Sequence, residues 1–429
     1  MNEHDSEILA GYLDREGWQH AQSAEESGLI LLNTCCIREK AENKVLSLLG
    51  EYEAFAEKNP ELVIGVCGCM IQQKNIVPRI RHAAPHVRLL FGTNNLRRLP
   101  EYLKTIEETG DPVFEIVEQI PTPEELEPVK RKFSYKACVN ITYGCNNFCT
   151  YCIVPYVRGR ERSRRASDIL NEVKILVDQG VIEVTLLGQN VNSYGNDFGD
   201  EGTSFPELLR QVDEIPRIKR VRFMTSHPKD FSPELIKVIA EGKHICHQIH
   251  LPVQSGSNEV LRRMNRKYTR EHYLDTVKMI RQALPDAAIT TDIIVGFPGE
   301  TEEQFEETIS LVKEVGYDSA FSFVYSKRAG TVAAGFEDPV PLEEKKRRLA
   351  RLNKVLSDSA IVHNRAIDQQ VVEVLVEGQS KNDPTHLSGR TDSGKTVIFP
   401  GPDSLTGSLV NVKITHPQTW ILKGELIKQ

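Results

Sequence analysis

The stretch Cys145-Asn-Asn-Phe-Cys149-Thr-Tyr-Cys152 places three thiols at the spacing C-x3-C-x2-C, directly after a predicted strand. Cysteine thiolates are the usual protein ligands of iron–sulfur clusters. Three of them leave the fourth iron of a 4Fe-4S cube open to a substrate or cofactor. The alternatives are a zinc site, which requires four N or S ligands, usually in C-x2-C pairs, and a disulfide framework, which nothing else in the sequence supports. The spacing therefore favours an iron–sulfur site.

A regular alternation of strands and helices begins just before this motif. Six strands, each followed by a helical stretch, predict a parallel (β/α)6 open barrel, a partial TIM barrel. Ser167 is the predicted N-cap of the helix over 167–179, and Thr301 with Gln304 forms a capping box for the helix over 301–315. The predicted strands cover residues 137–142, 182–187, 220–224, 247–251, 288–295 and 320–325.

Active sites in such barrels lie at the carboxyl ends of the strands. The first predicted strand ends at the three cysteines. Turn residues end most strands, so glycines at strand ends are weak evidence by themselves. Here they fall at the same end of the strands as the cysteine loop, and that coincidence indicates the site. Polar and glycine residues follow the other strands: Gly188-Gln-Asn190, Thr225-Ser-His227, Gln254-Ser-Gly256, Gly296-Phe-Pro-Gly299-Glu300 and Tyr325-Ser-Lys327.

The first hundred residues predict a separate doubly wound α/β domain. An amphipathic helix over 2–18 and a charged helix over 39–58 accompany buried strands over 29–32 and 62–66. The first strand leads to Cys35-Cys36 and the second to Cys67-Gly-Cys69. Because neighbouring parallel strands end at one edge of a sheet, these two cysteine loops are predicted to converge on a second metal site. The alternative, of equal weight, is that these cysteines are small buried hydrophobic residues.

The remaining segments complete a four-part organisation. A stretch rich in Glu and Pro indicates a linker. A charged helix over 342–366 precedes five short strands that predict a small closed β-barrel of oligonucleotide-binding type, with a packing cap as the alternative. The predicted domains are 1–106 (N-terminal domain), 107–130 (linker), 131–364 (barrel core) and 367–429 (C-terminal β-barrel).

Charge and composition limit the function classes. A net charge of −7 argues weakly against a nucleic-acid partner. However, five of the eight residues over 158–165 are arginine, which favours contacts with phosphates. The alternative is that these arginines form only a solvated face. The sequence has no run of about eighteen apolar residues and starts with polar residues, so we expect a cytoplasmic protein without a membrane partner. The nine cysteines indicate metal ligands and core residues, not disulfides.

Together these motifs resemble the methylthiotransferase family of radical S-adenosylmethionine (SAM) enzymes over essentially the whole chain. The tRNA-modifying branch is the most similar; the ribosomal-protein branch usually differs after its third cysteine and comes second. The resemblance implies an N-terminal methylthiotransferase domain, a radical SAM core and a TRAM domain that holds RNA. The residues that carry it are 140–163, 187–194, 292–301 and 387–391.

The resemblance implies that Cys145, Cys149 and Cys152 hold the catalytic cluster, which cleaves SAM to a 5′-deoxyadenosyl radical. That radical would abstract the hydrogen at C2 of N6-isopentenyladenosine, next to the anticodon of tRNA, and a second SAM would supply the methyl group of the added methylthio group. Cys35 and Cys69 match two of the three ligands of a second, auxiliary 4Fe-4S cluster. The family's first auxiliary cysteine lies in a Gly-Cys-Gln-Met-Asn stretch, of which this sequence contains Met1-Asn2.

We therefore expect an incomplete auxiliary cluster, with Cys36 and Cys67 poorly placed as substitutes, and an N-terminal sheet that lacks an interior strand. A non-enzymatic tRNA-binding relative is the alternative, but the presence of Cys35 and Cys69 favours an enzyme. The expected partners are tRNA, an electron donor such as flavodoxin or ferredoxin, and a sulfur donor, and we expect a monomer.

The resemblance also implies the residues that contact SAM. Gln189 stands where many radical SAM enzymes have an acidic residue near the SAM amino group. The expected SAM contacts are Tyr151, Gln189, Ser226, Gln254 and Gly296.

Overall fold

A computed structural model describes residues 1–35, 39–73, 75–117, 128–199 and 202–427, with 39–41 described by their backbone alone. This part of the chain forms two compact units. Among its helices, none combines the length and the apolar character needed to cross a membrane. The first unit comprises Met1–Lys132, Thr142–Asp168 and Ser326–Ala334, and the second comprises Phe133–Ile141, Ile169–Tyr325 and Gly335–Gln429.

A parallel sheet in the order β1-β2-β3-β4 forms the framework of the first unit. Helices cover both faces, since Leu49 and Ile80 pack with one face of β2 and Leu9 and Tyr102 pack with the other. This confirms the predicted doubly wound domain. The elements are α1 (Asn2–Arg15), β1 (Leu29–Thr34), α2 (Glu39–Lys58), β2 (Val63–Gly68), α3 (Ile76–Ala83), β3 (Val87–Phe91), α4 (Leu99–Thr109) and β4 (Val113–Glu115).

Two features of this sheet differ from the sequence-based expectation. Strand β4 pairs with β3, so the first part of the predicted linker belongs to the domain; residues 118–127 lie outside the described residues. Strand β1 pairs directly with β2 over six residue pairs, from Leu29 opposite Val63 to Thr34 opposite Gly68. The ladder is therefore continuous where we expected a missing strand, because β2 supplies the hydrogen-bond partners of β1.

The segment with the three cysteines belongs to the first unit. After β5 (Lys136–Asn140), which is part of the second unit, the chain forms β6 (Thr142–Tyr143), α5 (Val154–Val157) and β7 (Arg162–Ser163), and β6 pairs with β7. Ile153 and Val157 are buried in the same apolar cluster as residues of α2 and α3. Apolar packing thus holds the segment after the cysteines against the N-terminal sheet.

The second unit contains the predicted barrel. Its strands form two parallel sheets, β5-β8-β9 and β10-β11-β12, joined by a bridge between Val221 and Ile245. The Thr301 capping box is present as predicted, whereas Ser167 lies inside the first turn of its helix. The further elements are α6 (Ala166–Asp178), β8 (Glu183–Leu187), α7 (Phe205–Asp213), β9 (Arg220–Phe223), α8 (Pro233–Glu241), β10 (Gln248–His250), α9 (Asn258–Arg263), α10 (Arg270–Ala283), β11 (Ala288–Val295), α11 (Glu302–Val315) and β12 (Ser319–Val324).

The end of the second unit is a closed barrel in the order β13-β14-β15-β17-β16, as predicted. Two buried arginines of β9 bind its backbone: Arg222 donates to the carbonyl oxygens of Thr391 and Asp392, each at 2.7 Å, and Arg220 donates to that of Arg390 at 2.8 Å. The barrel is therefore fixed to the strands of its unit. Its elements are α12 (Leu342–Arg365), β13 (Val371–Ser380), β14 (Asp383–Thr391), β15 (Thr396–Pro400), β16 (Leu409–Pro417) and β17 (Leu422–Leu426).

Candidate functional site

The three-cysteine loop runs from β6 to α5 in a conformation that requires glycine at its start. Gly144 has φ +73°, and a Cβ there would lie 2.2 Å from the carbonyl oxygen of Arg160. Within the loop, the Cys152 N–H donates to the carbonyl of Cys149 at 3.0 Å. The loop is closed by its own backbone and by close approach to the chain that follows it.

The thiols of this loop lie in surroundings that fit cluster ligands. The backbone N–H and the side-chain amide of Asn147 each lie 3.5 Å from Cys145 Sγ, and hydrogen bonds to the ligating sulfur are one way in which proteins tune clusters. Burial raises the pKa of the Cys145 thiol, while the Asn147 backbone N–H lowers it. The eight described cysteines are all thiols and form no disulfides.

Within the described ranges, no three His, Cys, Asp or Glu side chains surround one point, as the ligands of a single metal ion would. In a 4Fe-4S cube each thiolate binds its own iron, so three thiolates need not converge. That the three cysteines hold a cube stays a prediction from their spacing.

The register of the N-terminal sheet places Cys35 beside Cys69. Asn33 pairs with Cys67 and Thr34 with Gly68, so Cys35 and Cys69 come next at the same sheet edge. The Cys69 N–H donates to the carbonyl of Thr34 at 3.1 Å. The two cysteine loops thus lie at neighbouring strand ends as the sequence predicts, and their role as ligands stays a prediction.

Gly68 separates the environments of Cys67 and Cys69. Residues two apart in a regular strand face the same side, but Gly68 has φ +97° and turns the chain. Cys67 is fully buried in an apolar cluster with Phe91, and burial raises its thiol pKa well above the usual value. Cys69 belongs to the cluster on the other face. Cys67 is therefore a core residue, whereas Cys36 lies outside the described residues.

A buried arginine contacts Cys69. Arg158 donates from Nε to Cys69 Sγ at 3.1 Å and from Nη2 to the Asp5 carboxylate at 2.6 Å, and all three residues are buried. Burial alone would lower the pKa of the Arg158 guanidinium, but the negative charges of Asp5 and Cys69 raise it above its usual value. The guanidinium therefore stays charged.

The five arginines predicted as one phosphate-binding group have different environments. Arg158 and Arg164 are buried and Arg162 is half-buried, whereas Arg160 and Arg165 are exposed. These last two present their charge most fully to solvent. The segment is therefore not one solvated basic face.

The predicted SAM contacts divide between the two units. Tyr151, half-buried between Cys149 and Cys152, belongs to the first unit. The other four lie in the second unit, directly or a few residues beyond the carboxyl ends of their strands. These are Gln189 after β8, Ser226 after β9, Gln254 after β10 and Gly296 after β11.

Two buried oxygens at these strand ends have no hydrogen-bond partner among the described residues. They are Ser226 Oγ and Asn190 Oδ1, and each residue is 2% exposed. The Asn190 amide nitrogen donates to Asp230 at 3.0 Å, which aims the oxygen away from that carboxylate. Buried polar atoms in proteins normally have a partner, so these two oxygens are unusual at the strand ends where the SAM contacts are predicted. Asn190, next to Gln189, is not among the predicted contacts.

The same strand ends carry unusual backbone angles. Thr225 and Gln254 have φ of +71° and +68°, a region that costs a residue with a Cβ about 1–2 kcal/mol and that is often found at functional sites.

Gly296 has φ +69°, and a Cβ there would meet the Lys345 side chain at 2.4 Å. Its N–H donates to the Glu300 carboxylate at 2.7 Å, and burial raises the pKa of Glu300 to about 7.

Comparisons with known proteins agree with this organisation. A model of the radical SAM superfamily matches residues 139–312, which include the three cysteines. The uncharacterized protein family UPF0004 matches residues 1–92, and the TRAM domain matches residues 368–427.

The tRNA-2-methylthio-N(6)-dimethylallyladenosine synthase of Moorella thermoacetica is 53% identical over 100% of this chain and 96% of its own length. The chain belongs to this family of radical SAM methylthiotransferases. Other family members of the same name, from Clostridium perfringens (strain 13) and Bacillus cereus (strain AH187), are each 51% identical over 100% of this chain, covering 96% and 84% of their own lengths. The resemblance carried by the motifs is confirmed.

Solved structures support the fold of this methylthiotransferase family member. A radical SAM methyltransferase from Kitasatospora setae, solved with cobalamin and a [4Fe-4S] cluster, has a TM-score of 0.55 at 14% identity, covering 77% of this chain and 73% of its own. The cobalamin-dependent radical enzyme OxsB has a TM-score of 0.54 at 13% identity, covering 83% of this chain and 54% of its own. At these identities the similarity shows the fold alone.

Proposed function

We propose that this chain adds a methylthio group to C2 of N6-isopentenyladenosine, next to the anticodon of tRNA. The observation that carries the proposal is 53% identity over the whole chain to a synthase of that name. The cysteine loop and the C-terminal barrel supply, respectively, the ligands and the RNA-binding module that this reaction needs.

Cys145, Cys149 and Cys152 would hold the cluster that binds SAM. When bound, cluster and SAM together supply the one-electron chemistry that removes an unreactive hydrogen. The protein's own groups position these partners. Asn147 donates to the Cys145 sulfur. Tyr151, Gln189, Ser226, Gln254 and Gly296 are the SAM contacts that we propose.

Cys35 and Cys69 would be two ligands of an auxiliary 4Fe-4S cluster. They lie at one sheet edge, and the Cys69 sulfur already receives a hydrogen bond from a buried cation. That environment stabilises a thiolate, which is the form that binds iron.

The partners follow from the same chemistry. The C-terminal barrel and the exposed Arg160 and Arg165 would bind tRNA through its phosphates. The reaction also needs an electron donor, such as a flavodoxin or ferredoxin, and a sulfur donor. We propose that the protein acts in the cytoplasm as a monomer.

The test is an assay of the reconstituted protein with SAM, a reductant and tRNA that contains N6-isopentenyladenosine. Mass spectrometry of the digested tRNA would detect the methylthio product, with a ribosomal-protein substrate in parallel. The matched control is Cys149→Ala, which removes one cluster ligand and should abolish formation of 5′-deoxyadenosine. Undiminished 5′-deoxyadenosine from that variant would contradict the radical SAM role of the loop.

A further inference from the structure

Helix α5 presents a tyrosine to solvent directly beyond the cysteine loop. The helix has four residues, Val154–Val157, and Ile153 and Val157 anchor it in the apolar cluster of the first unit. Between these anchors, Tyr156 is 50% exposed. Since the helix is fixed on its buried side, the ring of Tyr156 is held outward in a defined place.

Phe148, inside the cysteine loop, lies against this tyrosine. The two ring centroids are 6.1 Å apart and the ring planes meet at 88°. Phe148 has φ +45°, a left-handed conformation that is uncommon for a residue other than glycine and that marks functional segments more often than others. The backbone between Cys145 and Cys149 therefore aims this ring at Tyr156 despite a conformational cost.

The exposed Arg160 completes the group. Its guanidinium carbon lies 4.5 Å from the centroid of the Phe148 ring, within the range of a cation–π contact. The charge is thus placed beside the two rings and faces solvent. We call Phe148, Tyr156 and Arg160 the aromatic platform.

We propose that the aromatic platform stacks a nucleobase that flanks the target adenine in the substrate RNA. The inference rests on the proposed function and deepens it. Proteins hold the splayed-out bases of RNA loops by stacking them on aromatic rings and guanidinium planes. The target base must reach the cysteine loop, and Phe148 is part of that loop. The nucleotides on either side of the base must then cross the residues next to it.

A single exposed aromatic residue would need no explanation, because apolar atoms cover much of every protein surface. The platform differs in three respects. Its helix is anchored by buried residues on either side of Tyr156. The backbone of Phe148, its second aromatic residue, is left-handed. Its cation, Arg160, suits a polyanionic partner rather than a lipid or an apolar peptide. These properties together favour a base followed by a phosphate.

The experiment uses the reconstituted full chain and an anticodon stem-loop RNA with 2-aminopurine at each neighbour of the target adenine in turn. Tyr156→Ala and Tyr156→Leu should weaken binding by about 5- to 150-fold, the range that base–aromatic stacking covers, and should abolish the fluorescence quenching that stacking causes. Tyr156→Phe should retain both, because it keeps the ring. Arg160→Lys, which keeps the charge but loses the planar group, should reduce quenching.

Two controls separate stacking from misfolding. Trp18, a 38% exposed aromatic residue of the same unit, should tolerate Trp18→Ala without loss of RNA affinity. The iron content of each Tyr156 variant reports whether the cysteine loop is intact.

Unchanged affinity and quenching in Tyr156→Ala would overturn the proposal. If that variant instead bound RNA normally but was reduced more slowly by a flavodoxin-type donor, the platform would be a protein-docking site and the proposal would again be wrong. If the wild-type chain did not bind the stem-loop at all, the proposed function itself would fail.

Discussion

Arg158 donates a hydrogen bond of 3.1 Å to the sulfur of Cys69, which lies 89 positions earlier in the chain. The same guanidinium pairs with Asp5 of α1 at 2.6 Å. One buried cation thus ties together the segment after the three cysteines, the edge of the N-terminal sheet and the first helix. In the first unit, the cysteine proposed for the auxiliary cluster is held by a residue that follows the proposed SAM cluster.

The first prediction concerns this cation. Arg158→Met should lower the free energy of unfolding by about 3–5 kcal/mol, because it leaves Asp5 buried without its partner. Chemical denaturation measures the change. The double variant Asp5→Asn with Arg158→Met should recover part of the loss, because it also removes the buried negative charge. The control is Arg165→Gln, at an exposed arginine, which should change the free energy of unfolding by less than about 0.5 kcal/mol. An Arg158→Met protein that unfolds like the wild type would show that the pair is not coupled.

The second prediction concerns the glycine between Cys67 and Cys69. A Cβ on Gly68 would lie 2.4 Å from the carbonyl oxygen of Thr34, so Gly68→Ala must push apart the strand ends that carry Cys35 and Cys69. We expect a loss of stability above about 2 kcal/mol and less iron bound at the sheet edge. Gly110 is the matched control, since it has φ +74° with nothing within 4 Å of the added Cβ and should cost only about 1 kcal/mol. Equal effects of the two substitutions would mean that the contact with Thr34 relaxes freely.

The third prediction concerns the two groups of cysteines. Cys149→Ala should lose about four irons per chain after reconstitution and desalting and should no longer cleave SAM, because three closely spaced thiolates hold the proposed SAM cluster. Cys35→Ala should still cleave SAM but should not form the methylthio product, because Cys35 is proposed for the auxiliary cluster. Iron and sulfide analysis with the SAM-cleavage and tRNA assays measures both effects. Loss of SAM cleavage in Cys35→Ala equal to that in Cys149→Ala would contradict the separate roles.

The fourth prediction concerns pH. Burial raises the pKa of Glu300 to about 7 from its usual 4.5, so the folded state binds this proton more tightly than the unfolded state does. The resulting stabilisation is fully present below pH 4.5 and is lost as the pH rises through 7, a difference of up to about 3 kcal/mol. Glu300→Gln cannot titrate, so the wild type should lose stability relative to this variant between pH 4.5 and 8. Parallel stability curves would mean that Arg348, 3.4 Å from Glu300, keeps the carboxylate ionised throughout.

Local patterns were sufficient for the elements and for the family. The six barrel strands lie within two residues of their predicted ends, because a run of buried apolar residues closed by turn residues is a property of the segment itself. The Thr301 capping box is equally local. The three cysteines share one loop, so their spacing alone predicts a cluster site. The family could be read from the same short motifs.

Tertiary structure decided what depends on distant partners. Arg158 belongs by sequence to a basic run, and only its contacts with Asp5 and Cys69 make it a buried cation. Strand β4 is three residues long, which is too short to show the alternation of apolar and polar residues that marks a strand. Only its pairing with β3 reveals it.

Asn190 follows its strand like any turn residue, and its buried oxygen becomes evident only when the surrounding atoms are in place. A sequence records which groups a chain carries along its length. Burial and hydrogen bonding depend on which remote groups the fold brings within a few ångströms, and that is why the structure was needed for them.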